Sequence, residues 1–494
     1  MNGLDSQSAP SISAPDADSL GDTPSQVLAV DLDGTLIRTD MLFETFWAAL
    51  SQRWTNIAAV FGALPDGRAN LKRTLEGLGA VDVTMLPYNE EVVAYVQRWR
   101  DAGGRAVLVS AADQRIVDRV ADHLALFDAA YGSDGRMNLK GARKAAFLAE
   151  RYPDGFAYVG DKDADYAIWQ RAARAITVDV PRALRARVDA LSVESEHLTT
   201  RGSHVGPLLR AIRPQQWLKN VLVLLPLLVA HEFDLMTLGE AALAFVAYSL
   251  VASSVYLLND LLDLEADRAH PRKCKRPFAS GALPLSWGTV LAPGLLLAGG
   301  LVSVLLGSGF LAVMAIYYLV TTAYSFVLKR RMVIDICALA GLYTLRIIAG
   351  GVATGISLSV WLLAFSMFFF FALAAMKRQA ELVSSAAEGE EEAYGRGYVT
   401  ADLPLVSNMA VASGYVSVLV MALYLNSPAV QILYSTTVPL WGICLVLLYW
   451  LSRMVMLAHR GQMHDDPVVF AAKDRVSIAC SAIIVGLAVS GMVL

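Results

Sequence analysis

An apolar run of the sequence ends in Asn259-Asp260-Leu261-Leu262-Asp263-Leu264-Glu265-Ala266-Asp267, which carries three aspartates at spacings of three and four residues. On a helix these spacings place the three carboxylates on one face. Charged side chains at membrane depth are costly and usually functional, and carboxylate oxygens suit Mg²⁺. We therefore predict that Asp260, Asp263 and Asp267 bind Mg²⁺ and a diphosphate, with Asp260 and Asp263 catalytic and Asn259 beside them. A solvated loop of mixed charge is the structural alternative.

Apolar runs dominate the sequence after about residue 218. The whole chain is 55% hydrophobic and only 17% charged, whereas a soluble domain is nearer about 25% charged. A membrane-spanning helix needs roughly 20 apolar residues. We predict an all-α polytopic domain of about nine spans, which start near residues 219, 237, 285, 309, 333, 358, 404, 432 and 475. The first is the weakest because Pro226, His231 and Glu232 interrupt it.

Basic residues are concentrated in alternate loops, at 268–276, 329–331, 377–396 and 453–475. Cytosolic loops carry the excess of Lys and Arg, so we predict a multi-pass protein of the inner (plasma) membrane with a cytoplasmic N-terminal domain. A basic segment at 182–187 would rest on anionic membrane lipids or simply face solvent. The formal net charge of −4 gives no sign of nucleic-acid binding, and four single cysteines indicate neither disulfides nor zinc.

Three short apolar runs in the first 200 residues end in polar clusters. The pairs are Val27–Val30 with Asp31-Leu32-Asp33-Gly34-Thr35, Ala106–Val109 with Ser110, and Phe156–Val159 with Gly160-Asp161. Helical stretches separate the runs, and this alternation predicts an α/β, Rossmann-like domain with its site at the carboxyl ends of parallel strands. We expect a disordered tail at 1–24, this domain at 25–195, a linker at 196–210 and the membrane domain at 211–494.

The polar clusters fit phosphoryl transfer through an aspartyl-phosphate. Asp31 would attack phosphorus, and Asp33 would protonate the leaving oxygen and then activate water. Ser110 and a lysine would bind the phosphoryl oxygens. Oxygen atoms of Asp31, Asp161 and Asp165, with the backbone carbonyl of Asp33, would hold Mg²⁺.

These motifs resemble those of the haloacid dehalogenase-like hydrolase superfamily over roughly residues 25–195. The resemblance implies a lysine in the third motif, for which Lys144 fits by its place on a helix and Lys140 fits less well. It also implies a small helical cap between the first two motifs, which selects the substrate. A catalytically inactive relative that serves as a scaffold is the alternative.

The membrane half carries a second group of candidate residues. Asp335 lies within an apolar run, so we expect it to face an interior polar cavity; pairing with Arg330 or Arg331 is the alternative. Tyr324 is a further site residue near it. The basic candidates for phosphate contact are Lys219, Arg268, Lys273, Arg276, Lys329, Arg346, Lys377 and Arg378. Pairing with Glu381 or with lipid headgroups is the alternative for Lys377 and Arg378.

The aspartate-rich segment resembles the first aspartate motif of the UbiA-type intramembrane prenyltransferases, over roughly residues 208–494. This resemblance implies a cavity among nine helices and Mg²⁺ with a diphosphate substrate. The second motif of that family holds two or more carboxylates, but the corresponding stretch here holds only Asp335. That departure argues against an aromatic prenyltransferase with a polyprenyl diphosphate donor, which is kept as the alternative function.

A narrower resemblance is to the decaprenyl-phosphate phosphoribosyltransferase branch of that family. It rests on Arg213-Pro214-Gln215-Gln216-Trp217-Leu218-Lys219-Asn220, on Asp267-Arg268-x-His270-Pro271-x-Lys273 and on Leu345-Arg346-x-x-Ala349-Gly350. It implies transfer of a 5-phosphoribosyl group from phosphoribosyl pyrophosphate to a polyprenyl phosphate, with pyrophosphate as leaving group. The N-terminal phosphatase could then remove the 5-phosphate of the product. Lipid length and a homo-oligomeric state stay open.

Overall fold

The computed structural model of the chain describes residues 27–493 except 64, 66–67, 134–137, 390–396, 428–429, 431–432 and 464–465, and the side chains of 68–70. The predicted disordered tail at 1–24 lies outside the described residues. The chain divides into two compact units, one of residues 1–208 with 260–288 and one of residues 209–259 with 289–494. Segment 260–288, which the sequence analysis places in the membrane domain, therefore packs with the first unit.

Six strands in the described part of the first unit form one sheet. They are β1 (Val27–Val30), β2 (Arg105–Asp113), β3 (Ala129–Ser133), β4 (Phe156–Gly160), β5 (Arg174–Val178) and β6 (Glu194–Leu198). Their order is β3-β2-β1-β4-β5-β6, and every neighbouring pair is parallel. The order reverses between β1 and β4, so the loops after these strands open at the switch point where α/β folds bind ligands.

Alternate residues of the strands face opposite sides of the sheet, as the pleat requires. Leu28 and Val30 of β1 belong to one buried cluster, whereas Val27 and Ala29 belong to another. Because helices cover both faces, the central strands are apolar throughout instead of alternating with polar residues.

The helices of the first unit form a cap and two layers against the sheet. The cap lies between β1 and β2 in the chain and consists of α1 (Met41–Gln52), α2 (Asn56–Ala63) and α3 (Arg68–Leu78). The others before residue 200 are α4 (Glu90–Asp101), α5 (Gln114–Leu124), α6 (Ala142–Arg151), α7 (Tyr166–Trp169) and α8 (Arg182–Asp189). The predicted α/β, Rossmann-like fold with a small helical cap is confirmed.

Strand β6 crosses the predicted boundary between domain and linker. It pairs with β5 over Glu194–Leu198, although the linker was predicted to start at residue 196. The segment is polar and half-exposed because it forms the edge of the sheet. Edge strands carry charged side chains that limit pairing with other chains, so apolar patterning could not reveal this one.

The remainder of the chain is helical in the described residues. It contains α9 (Val205–Ile212), α10 (Leu225–Ala230), α11 (Leu235–Leu262), α12 (Leu264–Ala269), α13 (Leu285–Leu305), α14 (Ser308–Phe326), α15 (Ile334–Thr354), α16 (Val360–Glu388), α17 (Leu403–Leu425), α18 (Trp441–His459), α19 (Pro467–Lys473) and α20 (Arg475–Val493). Eight helices among the described residues are long and apolar enough to cross a membrane. They are α11, α13 to α18, and α20. The predicted polytopic helical class is confirmed, with one span fewer than the nine expected.

The missing span is the first, near residue 219. There the chain forms a 3₁₀ helix at Pro214–Leu224 and then the short α10. Pro226 lies in the first turn of α10, and His231, with a φ of 58°, ends it. The residues that weakened the prediction are thus those that limit the helix.

Candidate functional site

Three aspartates meet where β1 and β4 end. Asp31 follows β1, and Asp161 and Asp165 follow β4. One carboxylate oxygen from each lies within 4.8 Å of the other two, and no other such group was found in the described part of the chain. Burial raises the pKa of Asp161 well above its usual range; Lys162 opposes this, and the charges of Asp31 and Asp165 add to it.

A divalent cation fits this triad. The donors are all oxygens, which Mg²⁺ prefers, and a cation would offset the charges of Asp31 and Asp165 that add to the effect of burial on the pKa of Asp161. The predicted fourth oxygen, the backbone carbonyl of Asp33, accepts a hydrogen bond from Lys162 Nζ at 3.0 Å. A metal ion that used this carbonyl would have to share it with the lysine or displace the lysine.

Lys144 is the lysine that lies beside Asp31. Its Nζ is 2.7 Å from Asp31 Oδ1 and donates to Val109 O and Tyr158 OH, each at 3.2 Å. Lys144 is on α6 and its side chain is 3% exposed, whereas Lys140 precedes the helix and is exposed. The geometry favours Lys144 over Lys140 as the lysine of this site.

Asp33 lies beside the first turn of the cap. Its Oδ1 accepts a hydrogen bond from Met41 N at 2.8 Å. Burial, with the nearby charge of Asp40, raises the pKa of Asp33 to about 7. A group with a pKa near neutrality can both give and take a proton, which suits the predicted acid–base role.

Two small residues complete this site. Gly34 has a φ of +83°, and a Cβ there would lie 2.1 Å from Asp161 Oδ2. Glycine is required for the conformation and for the close approach. Ser110 is fully buried, where the ladder between β2 and β3 is interrupted, and its Oγ accepts a hydrogen bond from Ala112 N at 3.0 Å.

The aspartate-rich segment is organised around an arginine. Arg276 Nη1 lies 3.0 Å from Asp260 Oδ1 and 2.6 Å from Asp267 Oδ2. Burial raises the pKa of Asp267, and Arg276 opposes that shift. Asn259 and Asp260 lie near the end of α11, whereas Asp267 lies on α12.

The predicted single helical face is interrupted at Asp263. This residue lies between α11 and α12, with φ −97° and ψ 16°. The three carboxylates of the segment do not converge as those of the hydrolase triad do. Their oxygens suit Mg²⁺ chemically, but an ion between Asp260 and Asp267 would have to share or replace the contacts of Arg276.

Residues near the segment differ in what they contact. Arg268 forms a bidentate ion pair with Glu44 of α1, with Nη2–Oε1 at 2.6 Å and Nη1–Oε2 at 3.0 Å. This predicted phosphate ligand is therefore occupied by a carboxylate. Lys273 begins a short 3₁₀ turn that ends at Lys275.

A lysine–aspartate cluster lies in the second unit and consists of Lys219, Tyr343, Lys377 and Asp466. Asp466 Oδ2 is 2.7 Å from Lys219 Nζ and 3.4 Å from Lys377 Nζ, and Tyr343 OH donates to its Oδ1 at 3.1 Å. Burial lowers the pKa of Lys219 to about 8, against the opposing charge of Asp466. Two predicted phosphate ligands thus converge on one carboxylate.

Arg346 is enclosed by protein groups. It is 5% exposed, and it donates to Asn220 Oδ1 at 3.0 Å, Leu342 O at 2.6 Å and Tyr317 OH at 3.3 Å. Its guanidinium also lies over aromatic rings, 5.4 Å from the centre of Tyr248. These contacts hold the 3₁₀ helix and the membrane helices together, and the predicted phosphate contact of Arg346 is a proposal only.

Asp335 is buried in an ion pair. Its Oδ2 lies 2.9 Å from Arg378 Nε, both side chains are fully buried, and its Oδ1 accepts from Tyr398 OH at 2.6 Å. The side chain that was expected to face an interior polar cavity is enclosed by protein groups, and its ion-pair partner is Arg378 instead of Arg330 or Arg331. Tyr324 lies near the end of α14, and Lys329 follows in the turn Leu328–Arg330.

Asp466 and Glu44 were not predicted from the sequence. Asp466 precedes Pro467 and caps α19 by accepting from Val468 N, and an aspartate before a proline is a signal for a helix start. That signal could have marked the cap, but nothing in the sequence connects it with Lys219. Glu44 lies in an amphipathic helix and carries no distinguishing motif.

Comparison with known proteins identifies both parts of the chain. Residues 221–478 match the UbiA prenyltransferase family. The chain belongs to this family. Residues 28–169 match the haloacid dehalogenase-like hydrolases, so this UbiA family member carries a hydrolase-like domain before its helices. With eight candidate spans among the residues that the structure describes, it is an integral membrane protein.

Similar proteins cover different shares of this UbiA family chain. It is 37% identical to the uncharacterized protein y4nM of Sinorhizobium fredii over 94% of this chain and 91% of that protein. It is 36% identical to nodulation protein NoeC of Azorhizobium caulinodans over 56% of this chain and 90% of that protein. It is 43% identical to decaprenyl-phosphate phosphoribosyltransferase of Mycolicibacterium smegmatis over 40% of this chain and 64% of that protein.

Proposed function

We propose that the chain transfers a 5-phosphoribosyl group from phosphoribosyl pyrophosphate to a polyprenyl phosphate, and that its N-terminal domain then removes the 5-phosphate. The observation that carries the transferase proposal is the contrast between two sets of residues in the second unit. Asp335 is the single carboxylate in the stretch that corresponds to the second aspartate motif, and it is paired with Arg378. Lys219 and Lys377, in contrast, share a single carboxylate, that of Asp466. Two lysines that face one carboxylate leave an excess of positive charge, and this suits substrates that carry several phosphates.

The similarity to decaprenyl-phosphate phosphoribosyltransferases supports the same donor and acceptor. A lipid phosphate oxygen would attack C1 of the ribose, and the bond from C1 to pyrophosphate would break. Asp260, Asp263 and Asp267 would hold the magnesium pyrophosphate, and Mg²⁺ would supply charge stabilisation for the leaving group. The proposed phosphate contacts are Lys219, Lys273, Arg276, Lys329 and Lys377. Arg346 is buried and contacts protein groups instead.

The hydrolase site supports removal of a phosphate monoester. Asp31 would attack phosphorus as the bond to the sugar oxygen breaks, and Asp33 would protonate that oxygen. Water, deprotonated by Asp33, would then release phosphate from Asp31. Lys144 and Ser110 would bind the phosphoryl oxygens, and Mg²⁺ held by Asp31, Asp161 and Asp165 would offset the negative charge of the phosphoryl group.

Both steps would take place at the cytosolic face of the inner membrane. The basic loops support this orientation, since cytosolic loops carry the excess of Lys and Arg. A phosphatase fused to the transferase would meet the product at an effective concentration commonly in the millimolar range, on the order of that for short flexible links. The hydrolase geometry also favours an active domain over an inert scaffold.

Incubation of the purified full chain with labelled phosphoribosyl pyrophosphate, polyprenyl phosphate and Mg²⁺ tests both steps. Wild type should give a ribosylated lipid without the 5-phosphate, whereas Asp31→Asn should accumulate the 5-phosphorylated lipid, as judged by mass spectrometry. The same 5-phosphorylated lipid from both proteins would refute the phosphatase step. A product from a prenyl diphosphate and a phenolic acceptor, with none from phosphoribosyl pyrophosphate, would favour the aromatic prenyltransferase.

A further inference from the structure

The aspartate-rich segment is fixed to the hydrolase cap by a buried ion pair. Arg268 lies on α12, and Glu44 lies on cap helix α1. Their side chains are only 7% and 3% exposed, and two parallel N–H···O bonds of 2.6 and 3.0 Å join them. Paired geometry of this kind is the strongest form of an arginine–carboxylate contact.

Further contacts hold the rest of residues 260–288 against the same domain. Arg268 Nε donates to Ala279 O at 3.1 Å, which ties α12 to the following loop. His204 Nδ1 lies 3.3 Å from Ala282 O. Gly281, with a φ of +69°, lies so close to Arg38 that a Cβ there would come within 2.6 Å of the Arg38 Cβ. The loop therefore packs closely against this domain at Gly281, in addition to the ion pair of Arg268 with Glu44.

A series of contacts connects the hydrolase site with the aspartate-rich segment, and the ion pair of Glu44 and Arg268 lies in the middle of it. Asp33 accepts from Met41 N at the start of α1, and Glu44 follows within the first turn. On the other side, Arg268 is adjacent in sequence to Asp267, which contacts Arg276. Removal of one partner from a buried pair leaves an uncompensated charge, so this contact strongly specifies where α12 lies.

We propose that Glu44 is a positioning residue for the transferase: through Arg268 it holds α12 so that Asp267 and Arg276 are placed for the donor pyrophosphate. This inference rests on the proposed transferase function. The hydrolase-like domain would then have a second role besides catalysis, because the transferase of this fused chain would depend on the docked cap. In this proposal Arg268 is likewise a positioning residue and does not contact phosphate.

Charge exchange in the full-length protein tests the assignment. Glu44→Gln and Arg268→Glu should each raise the KM for phosphoribosyl pyrophosphate by roughly tenfold, a typical coupling between sites. The double variant E44R/R268E should recover most of that loss, because it restores the pair with reversed charges. Glu76→Gln is the matched control, since Glu76 forms a cap ion pair with Arg115 that does not involve residues 260–288.

Hydrogen–deuterium exchange of residues 264–282 gives a readout that is independent of activity. Glu44→Gln should increase exchange there, whereas Glu76→Gln and Asp31→Asn should not. Unchanged KM and exchange in Glu44→Gln would overturn the inference, as would a charge-exchange variant as impaired as Arg268→Glu alone, which would indicate direct phosphate contact by Arg268. If wild type forms no ribosylated lipid, the proposed function fails, and the transferase role of Glu44 fails with it; the exchange data would then judge only the docking contact.

Discussion

The chain contains two groups of three aspartates, and the two groups differ in how their carboxylates are arranged. In the hydrolase site Asp31, Asp161 and Asp165 converge with a lysine at one edge. In the aspartate-rich segment Asp260 and Asp267 instead share the guanidinium of Arg276. The hydrolase carboxylates are held by the ends of two adjacent strands, whereas the segment is held by side-chain pairing at the junction of two helices.

The two sites should therefore differ in how they bind a cation. Strand ends are fixed by the ladder, so the hydrolase triad keeps its like charges together and retains the resulting repulsion. A helix end can instead relieve repulsion by turning, as the break at Asp263 shows, and by recruiting a nearby cation. We therefore expect the hydrolase site to tolerate few changes and the segment to respond more gradually.

The largest expected effect comes from removing the lysine of the hydrolase site. Lys144→Met should reduce phosphate release about a hundredfold to a thousandfold, since it removes a buried cation from the reacting oxygens. Lys140→Met should leave release nearly unchanged because Lys140 is exposed. Phosphate release by the full chain measures both variants, and equal losses in the two would contradict the placement of Lys144.

A methyl group at Gly34 tests how rigid that site is. Gly34→Ala should lower phosphate release roughly tenfold to a hundredfold and reduce the free energy of unfolding by about 1–3 kcal/mol, the usual cost of such strain. The control is Gly62→Ala on cap helix α2, where an added Cβ meets no atom within 4 Å. Near-normal activity of Gly34→Ala would show that the carboxylates can move apart, which would weaken the contrast with the segment.

Removal of the shared guanidinium should have a smaller effect on the segment. Arg276→Gln should reduce transfer by roughly tenfold. Arg276 lowers the pKa of Asp267, so its loss should raise that pKa, and the ionised carboxylate would then predominate only at higher pH. The acidic limb of the pH–rate profile should shift to higher pH in Arg276→Gln and less in Arg276→Lys. A shift towards lower pH would show that Asp267 is not the group that titrates.

The smallest effect is expected in the lysine–aspartate cluster. Asp466→Asn removes the charge that keeps the pKa of Lys219 from falling further, so Lys219 should lose its proton at lower pH. The KM for phosphoribosyl pyrophosphate should therefore rise about fivefold between the lowered pKa of Lys219 in the variant and about 8, its pKa in wild type, and less at lower pH, where Lys219 is charged in both proteins. Kinetics at two pH values measure this, and an equal rise at both would indicate a structural effect alone.

Local patterns predicted much of this protein because they report local physics. Apolar runs locate all eight spans found among the described residues, and the clusters after Val30 and Val159 locate the hydrolase site. The polar edge strand β6 escaped because half-exposed strands lack an apolar pattern. The first predicted span was wrong because proline and a left-handed histidine limit α10.

The ion-pair partners of the charged residues were predicted less well than the helices and strands. Sequence identified Lys219, Arg268 and Asp335 as charges that need an explanation, but gave the wrong partner or none for each. For Arg378 it gave Glu381, which the structure confirms, but not the buried Asp335.

Composition, residue order and spacing determined that this protein has an α/β domain followed by membrane helices, since burial of apolar side chains depends on their periodicity. The motifs also determined which residue types form the two acidic groups. Tertiary structure alone decided that Lys144 meets Asp31, that Arg276 joins Asp260 to Asp267, and that Glu44 holds Arg268. Coulombic pairing acts through space between residues far apart in the chain, so their spacing in the sequence carries no record of it.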